Sequence, residues 1–188
     1  MIDFDLKSGP LSELMIEKGV SRFQQACLFL QCLPYERTSD KSNLALVCIE
    51  NRGTCSSKHA FLAELAIENA IEGIDLICGI FMMSPETHPA LTDFFSTKKY
   101  KVIPEAHCYL RIKNERIDFT SSKDRMEIIA SKLLCEQQIE PNQANEWKVL
   151  THKDYIRKYI SRNPELNLSF EDFWQDREHC ISILSKSC

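Results

Sequence analysis

No stretch of this chain stays apolar for long enough to cross a bilayer. The longest run, Leu76 to Met83, carries Gly79 inside it and falls far short of the roughly 20 residues a spanning helix needs, so no membrane partner is expected. Charge of one sign is never concentrated. There are 23 basic and 27 acidic residues, for a net charge of −4, and phosphate backbones are bound by concentrated basic faces, so nucleic acid is not an expected partner either. A small basic pocket stays possible. CxxC pairs are missing, as is any His/Cys cluster with structural-zinc spacing; no metal and no cofactor is expected. The opening residues MIDFDLKSGPLSELM lack an apolar run, so no export signal and a cytoplasmic location are expected. The nine cysteines then read as reduced thiols, not as a disulfide framework. With five glycines, seven prolines and no repeat, residues 1–188 read as a single domain long enough to bury its own core.

Punctuation and periodicity set out the elements. Leu11–Gly19 reads as a helix, and Ser21 caps a second one reaching Cys32, where Pro34 stops it. Leu33–Asn43 is a polar loop, and Leu44–Glu50 is a short apolar run of undetermined type. A helix opened by Thr54 or Cys55 places Phe61, Leu62, Leu65, Ala66 and Ile71 at helical spacing, with Gly73 at its end. Asp75–Met83 reads as a buried strand and Ala90–Thr97 as a helix. Beyond Ser121 the chain reads as helical throughout: Lys123–Cys135 capped by Ser122, His152–Ser161 capped by Thr151 and Asp154, and a last helix capped by Ser169 with Phe170, Phe173, Trp174 and Ile181 as its core stripe. Helices, a central sheet, then helices predict one α+β domain, with a core over about 44–120 and a C-terminal helical region over about 121–188.

Two local patterns carry chemistry. RGTCSSKHAFLAELA puts Cys55 at the first turn of a helix, facing unpaired N–H groups and the positive end of the helix dipole, a setting that favours a thiolate. HCYLRIKNERIDFT reads as a hairpin turning at Lys113-Asn114, with Asn114 at positive φ. Its register pairs Ile112 with Glu115, Leu110 with Ile117, Tyr109 with Asp118 and Cys108 with Phe119. One face is then apolar, and the other holds His107, Tyr109, Arg111, Arg116, Asp118 and Thr120. Diagonal neighbours on one face lie within side-chain reach, so His107 and Asp118 can meet. A histidine oriented by a carboxylate and presented to a thiol is what a cysteine nucleophile requires.

These residues resemble the transglutaminase-like superfamily: G-T-C-S-S-K-H-A at a helix start, a strand, then H-C-Y-L-R-I closed by I-D-F-T, across about residues 52–120. The resemblance implies a papain-like core in which the nucleophile helix packs on a small antiparallel sheet, flanked by N- and C-terminal helices. It implies Cys55 as nucleophile, His107 as base and Asp118 as the orienting acid. Cys108 stands where an aromatic residue often follows the histidine, and Asp118-Phe119-Thr120 replaces a D-P-T ending. Arylamine N-acetyltransferases share this logic but are longer, and nothing here is suited to coenzyme A. The expected activity is thioester chemistry at Cys55 on an amide or acyl group of a peptide, protein or small amide. Hydrolysis, deamidation and transfer are left open.

Tyr35 and Arg37 in the polar loop are candidates for a substrate carboxylate or the oxyanion, and Thr54, Ser56, His59 and Tyr109 for the substrate wall. His59 shares the helix face of Cys55. Without an orienting partner of its own, it reads as a supporting residue and not as the base. Two rival readings stand beside the enzyme: a binding module that keeps the fold without turnover, and a redox sensor in which Cys108 resolves an oxidised Cys55. For Asp118 the plain alternative is a surface pair with Arg111 or Arg116, of little energetic value.

Overall fold

A computed structural model describes residues 2–7, 9–122 and 125–186. Two short helices, α1 (Pro10–Glu17) and α2 (Phe23–Cys32), lead to a single-turn helix α3 (Leu46–Ile49), which settles the undetermined run, and then to α4 (Cys55–Glu68). Strand β1 (Ile74–Met83) is followed by α5 (Thr92–Ser96) and the hairpin β2 (Ile103–Ile112) and β3 (Glu115–Ile117). Helix α6 (Met126–Ser131), strand β4 (Leu133–Gln138) and the long helices α7 (Glu146–Arg162) and α8 (Phe170–Lys186) complete the chain. The α+β class expected from the sequence is the observed one.

The sheet is antiparallel in the order β3-β2-β1-β4. Leu76, Cys78 and Ile80 of β1 and Ala106, Cys108 and Leu110 of β2 face α4, whose Phe61, Leu62 and Leu65 complete that core. Ile77, Phe81, Ile103 and Tyr109 on the reverse face pack with Ile129 of α6, Ile156 of α7 and Phe173 of α8. Both faces of β1 and β2 are therefore covered, and their burial is nearly continuous.

The hairpin register is the expected one over Leu110–Ile112, with Leu110 opposite Ile117 and Ile112 opposite Glu115, but β3 ends at Ile117, so the expected pairs Tyr109–Asp118 and Cys108–Phe119 are not part of the ladder. Lys113 and Asn114 both take positive φ (50° and 67°), as a two-residue hairpin turn of the primed type demands. Ser169 caps α8, its Oγ accepting from the Asp172 N–H at 3.0 Å. Helix α4 ends at Glu68, before Ile71, and Gly73 (φ 81°) serves the turn into β1.

Several expectations need correction. Leu133–Gln138 is a strand, not the end of a helix from Ser122, so residues 121–188 are not purely helical. Lys123 and Asp124 of that expected helix, and Cys188, lie outside the described residues. Helix α7 starts at Glu146 on an Asn145 cap rather than near Thr151. Arg22 takes the cap position of α2, where Gln25 accepts from the N–H groups of Ser21 and Arg22. The eight cysteines among the described residues are free thiols.

Candidate active site

The turn before α4 is tight. A Cβ on Gly53 would lie 2.9 Å from Lys58 Cγ and 3.0 Å from Ser57 Oγ, so only glycine fits without displacing them. Thr54 N–H donates to Ser57 Oγ at 2.9 Å, closing the first turn and leaving Cys55 as its first helical residue. Gly53 also pairs with Tyr35: Gly53 N–H donates to Pro34 O (3.1 Å) and Glu36 N–H to Gly53 O (3.3 Å). Lys58, fully buried, donates to Leu33 O (2.6 Å) and Thr120 O (2.8 Å). One side chain thus ties both the Tyr35 segment and the Asp118 segment to α4.

His107 Nε2 lies 2.8 Å from Asp118 Oδ2, which leaves Nδ1 for the Cys55 thiol that interacts with the same ring. Asp118 Oδ1 accepts from Thr120 N–H at 2.8 Å, so both carboxylate oxygens are held. His59 Nδ1 donates to Cys55 O (2.7 Å), and its Nε2 accepts the Phe119 N–H (2.7 Å). That ring is neutral, its pKa lowered to about 4 by burial. It bridges the Cys55 and Asp118 segments by backbone contacts. Arg111 and Arg116 both bind Glu136 on β4, so Asp118 is left to the histidines.

Charge at the centre is arranged as an ion pair. Burial works against a Cys55 thiolate, but Lys148, His107 and a backbone hydrogen bond from Cys108 bring its pKa down to about 5. Burial likewise opposes an imidazolium at His107, yet Asp118 and Cys55 hold its pKa well above the ordinary histidine range. For Asp118, burial alone would raise the carboxyl; His107 and then His59 keep it well below the usual range. At neutral pH the site is thiolate, imidazolium and carboxylate in series.

Lys148, which the sequence reading did not single out, also reaches Cys55. Its Nζ lies 3.7 Å from Cys55 Sγ and 2.6 Å from Ser56 Oγ, donating to the hydroxyl. Although burial disfavours its charge, Cys55 and the neighbouring thiols keep it ammonium. The signal was there to find: Lys148, His152 and Ile156 lie at i, i+4 and i+8 on the buried face of α7, and a buried lysine on a helix face calls for a partner. Starting the helix near Thr151 hid that stripe. Tyr35 also approaches, its hydroxyl hydrogen-bonded to Cys55 and its pKa raised by burial and by that thiolate.

Cys55 is only 5% exposed, but it stands on the wall shared by two cavities, together with Tyr35, Glu105 and Ile181. One, of about 310 Å³, is lined by Arg37, Lys41, Ser56, Lys148, Lys153 and Arg177. The other, of about 290 Å³, is lined by Phe81, Met83, Ile129 and Leu184, with His107 and Asp118 at its inner end. Between them, Arg177 grips Glu105 in a buried two-point ion pair (Nε–Oε2 2.7 Å, Nη2–Oε1 2.5 Å).

Of the expected substrate-wall residues, Tyr35, Arg37, Thr54 and Ser56 line the polar cavity. Tyr109 and His59 do not. Tyr109 is fully buried, donates its hydroxyl to Glu136 Oε1 at 2.5 Å and lies across Gly79, where a Cβ would meet its ring at 3.1 Å; it is a sheet-packing residue. Strand β4, whose first residues Leu133–Cys135 read as helix from the sequence, carries the Glu136 carboxylate that draws Tyr109, Arg111 and Arg116 away from the site. No protein-family model, curated protein or solved structure matches this chain, so the argument for its function is carried by this geometry.

Proposed function

We propose that the protein is a cysteine-dependent enzyme with a transglutaminase-like, papain-like core, acting on an amide or acyl group through a thioester at Cys55. The observation that carries this reading is the Cys55–His107–Asp118 series, with Cys55 on the wall shared by two cavities and His107 and Asp118 lining the apolar one. The thiolate attacks the acyl carbon, forming the C–S bond and pushing the carbonyl electrons onto oxygen. When that oxyanion collapses, the C–N bond breaks, and the imidazolium of His107 supplies the proton the departing nitrogen needs. A water, or an amine in transfer, then resolves the thioester, with neutral His107 taking its proton. Asp118 keeps the ring oriented throughout and stabilises its charged form. Backbone N–H groups at the start of α4, with Tyr35 and Lys148 beside them, are the donors available to the oxyanion.

The rival, a binding module without turnover, draws on the low exposure of Cys55. Iodoacetamide labelling of the folded protein near pH 6, mapped over all nine cysteines, separates the two. An active thiol labels first at Cys55 and slows in His107→Ala. A Cys55 no faster than the other cysteines overturns the enzyme reading.

A further inference from the structure

The two cavities that meet at Cys55 differ in charge, and the difference bears on substrate class; the reasoning rests on the thioester chemistry proposed above. Five basic side chains line the polar cavity, Arg37, Lys41, Lys148, Lys153 and Arg177, against two carboxylates, Glu105 and Glu178. The carboxylates are already taken. Arg177 holds Glu105 at two points and reaches Glu178 at 2.7 Å, and Arg37 also binds Glu178 at 2.7 Å. Lys148 is committed to Cys55 and Ser56. Lys41 and Lys153 have no carboxylate within ion-pair distance among the described residues; Lys153 lies 5.1 Å over the Trp174 ring. Lys41 is exposed overall, and its ammonium is disfavoured by partial burial first and then by Arg37, with Arg177 and Lys148 adding to it and only Glu178 opposing. An incoming anion would relieve that repulsion.

The apolar cavity has no such surplus. Its Arg125 donates to Thr87 O at 2.8 Å, and its His88 is neutral, its pKa lowered to about 4 by burial and by Arg125. It is also the cavity that His107 lines, and the polar one is not. The group that receives the His107 proton must depart on the side where that ring stands. The leaving amine therefore belongs to the apolar cavity and the acyl part to the polar one.

We infer that the substrate is an amide whose acyl part bears a carboxylate, held in the polar cavity by Lys41 and Lys153, and whose leaving amine is apolar. Attack by Cys55 gives a thioester carrying that carboxylate, and the C–N bond breaks toward the apolar cavity with the His107 proton going to nitrogen.

The test is acylation of Cys55 by two activated esters of equal chain length, mono-p-nitrophenyl adipate and p-nitrophenyl hexanoate. p-Nitrophenol release gives the rate, intact mass and peptide mapping locate the acyl group, and each rate is divided by that of the same ester with glutathione. Two partly exposed charge contacts predict an adipate-over-hexanoate ratio of about tenfold. The ratio should collapse toward one in Lys41→Ala/Lys153→Ala, while Lys113→Ala, in the distant hairpin turn, keeps it. Equal corrected rates in the parent protein overturn the inference and leave the thiol-enzyme reading standing. A ratio that survives the double substitution removes these lysines as the counter-charges and overturns the assignment. If neither ester acylates Cys55, both readings fall together.

Discussion

Lys148→Met is the substitution that most sharply tests the electrostatics of the site. Methionine keeps the length and apolar stem of the side chain and removes only its charge. At 3.7 Å from the sulfur, a unit charge in surroundings of effective dielectric about 20 interacts with a thiolate by about 4 kcal/mol. Water entering the polar cavity and the persisting His107 imidazolium reduce the net effect to about half of that. With 1.36 kcal/mol per pKa unit, the Cys55 pKa should rise by about one and a half units, from about 5 to about 6.5. At pH 6 the thiolate fraction then falls from about nine-tenths to about a quarter, and alkylation slows about fourfold. The assay is the pH dependence of iodoacetamide labelling at Cys55, with thiolate absorbance as an independent readout and melting temperature as the control for folding. Lys148→Arg, which keeps the charge, should restore most of the rate. A folded Lys148→Met protein with an unmoved titration midpoint would refute the assignment of Lys148 as the thiolate's main counter-charge.

Three further outcomes are expected. Asp118→Asn removes the carboxylate that orients and charges His107, and acylation at pH 7 should slow on the order of a hundredfold or more in burst kinetics. Arg177→Met leaves the Glu105 carboxylate buried without its partner, at a cost of about 3 kcal/mol or more, read as a fall of about 6–12 °C in melting temperature. His59 and His152 are buried and His88 is half-buried, and burial lowers the pKa of each. For such groups stability is fully present above the unfolded histidine value of about 6.5 and is lost as pH falls through the folded values. Melting temperature should therefore decline from about pH 6.5 toward pH 4, and His152→Gln should make that decline shallower.

The parts legible in the sequence were those whose causes are local. A turn of Gly53 and Thr54 before an apolar helix places Cys55 at the helix start, and a two-residue turn with strict alternation around it sets the register from Leu110 to Ile117. Ser169 three residues before Asp172 is likewise a local cap. The unreadable parts depend on distant chain. Leu133–Gln138 lacks the β-branched residues and clean alternation of a strand; it becomes one because the free edge of β1 is there to be paired. With β4 unseen, Glu136 could not be matched to Tyr109, Arg111 and Arg116. Lys58 is buried against Leu33 O and Thr120 O, and Lys148 against the thiol, by segments distant in the chain.

The most direct test of covalent chemistry at Cys55 is to trap the acyl group there. The protein is incubated briefly with p-nitrophenyl acetate, quenched in acid and digested, and the peptides are mapped by mass spectrometry beside His107→Ala. One acetyl group on Cys55, formed together with a burst of p-nitrophenol and much slower in the variant, is the predicted result. Cys55 left unmodified, or modified equally fast without His107, would contradict it.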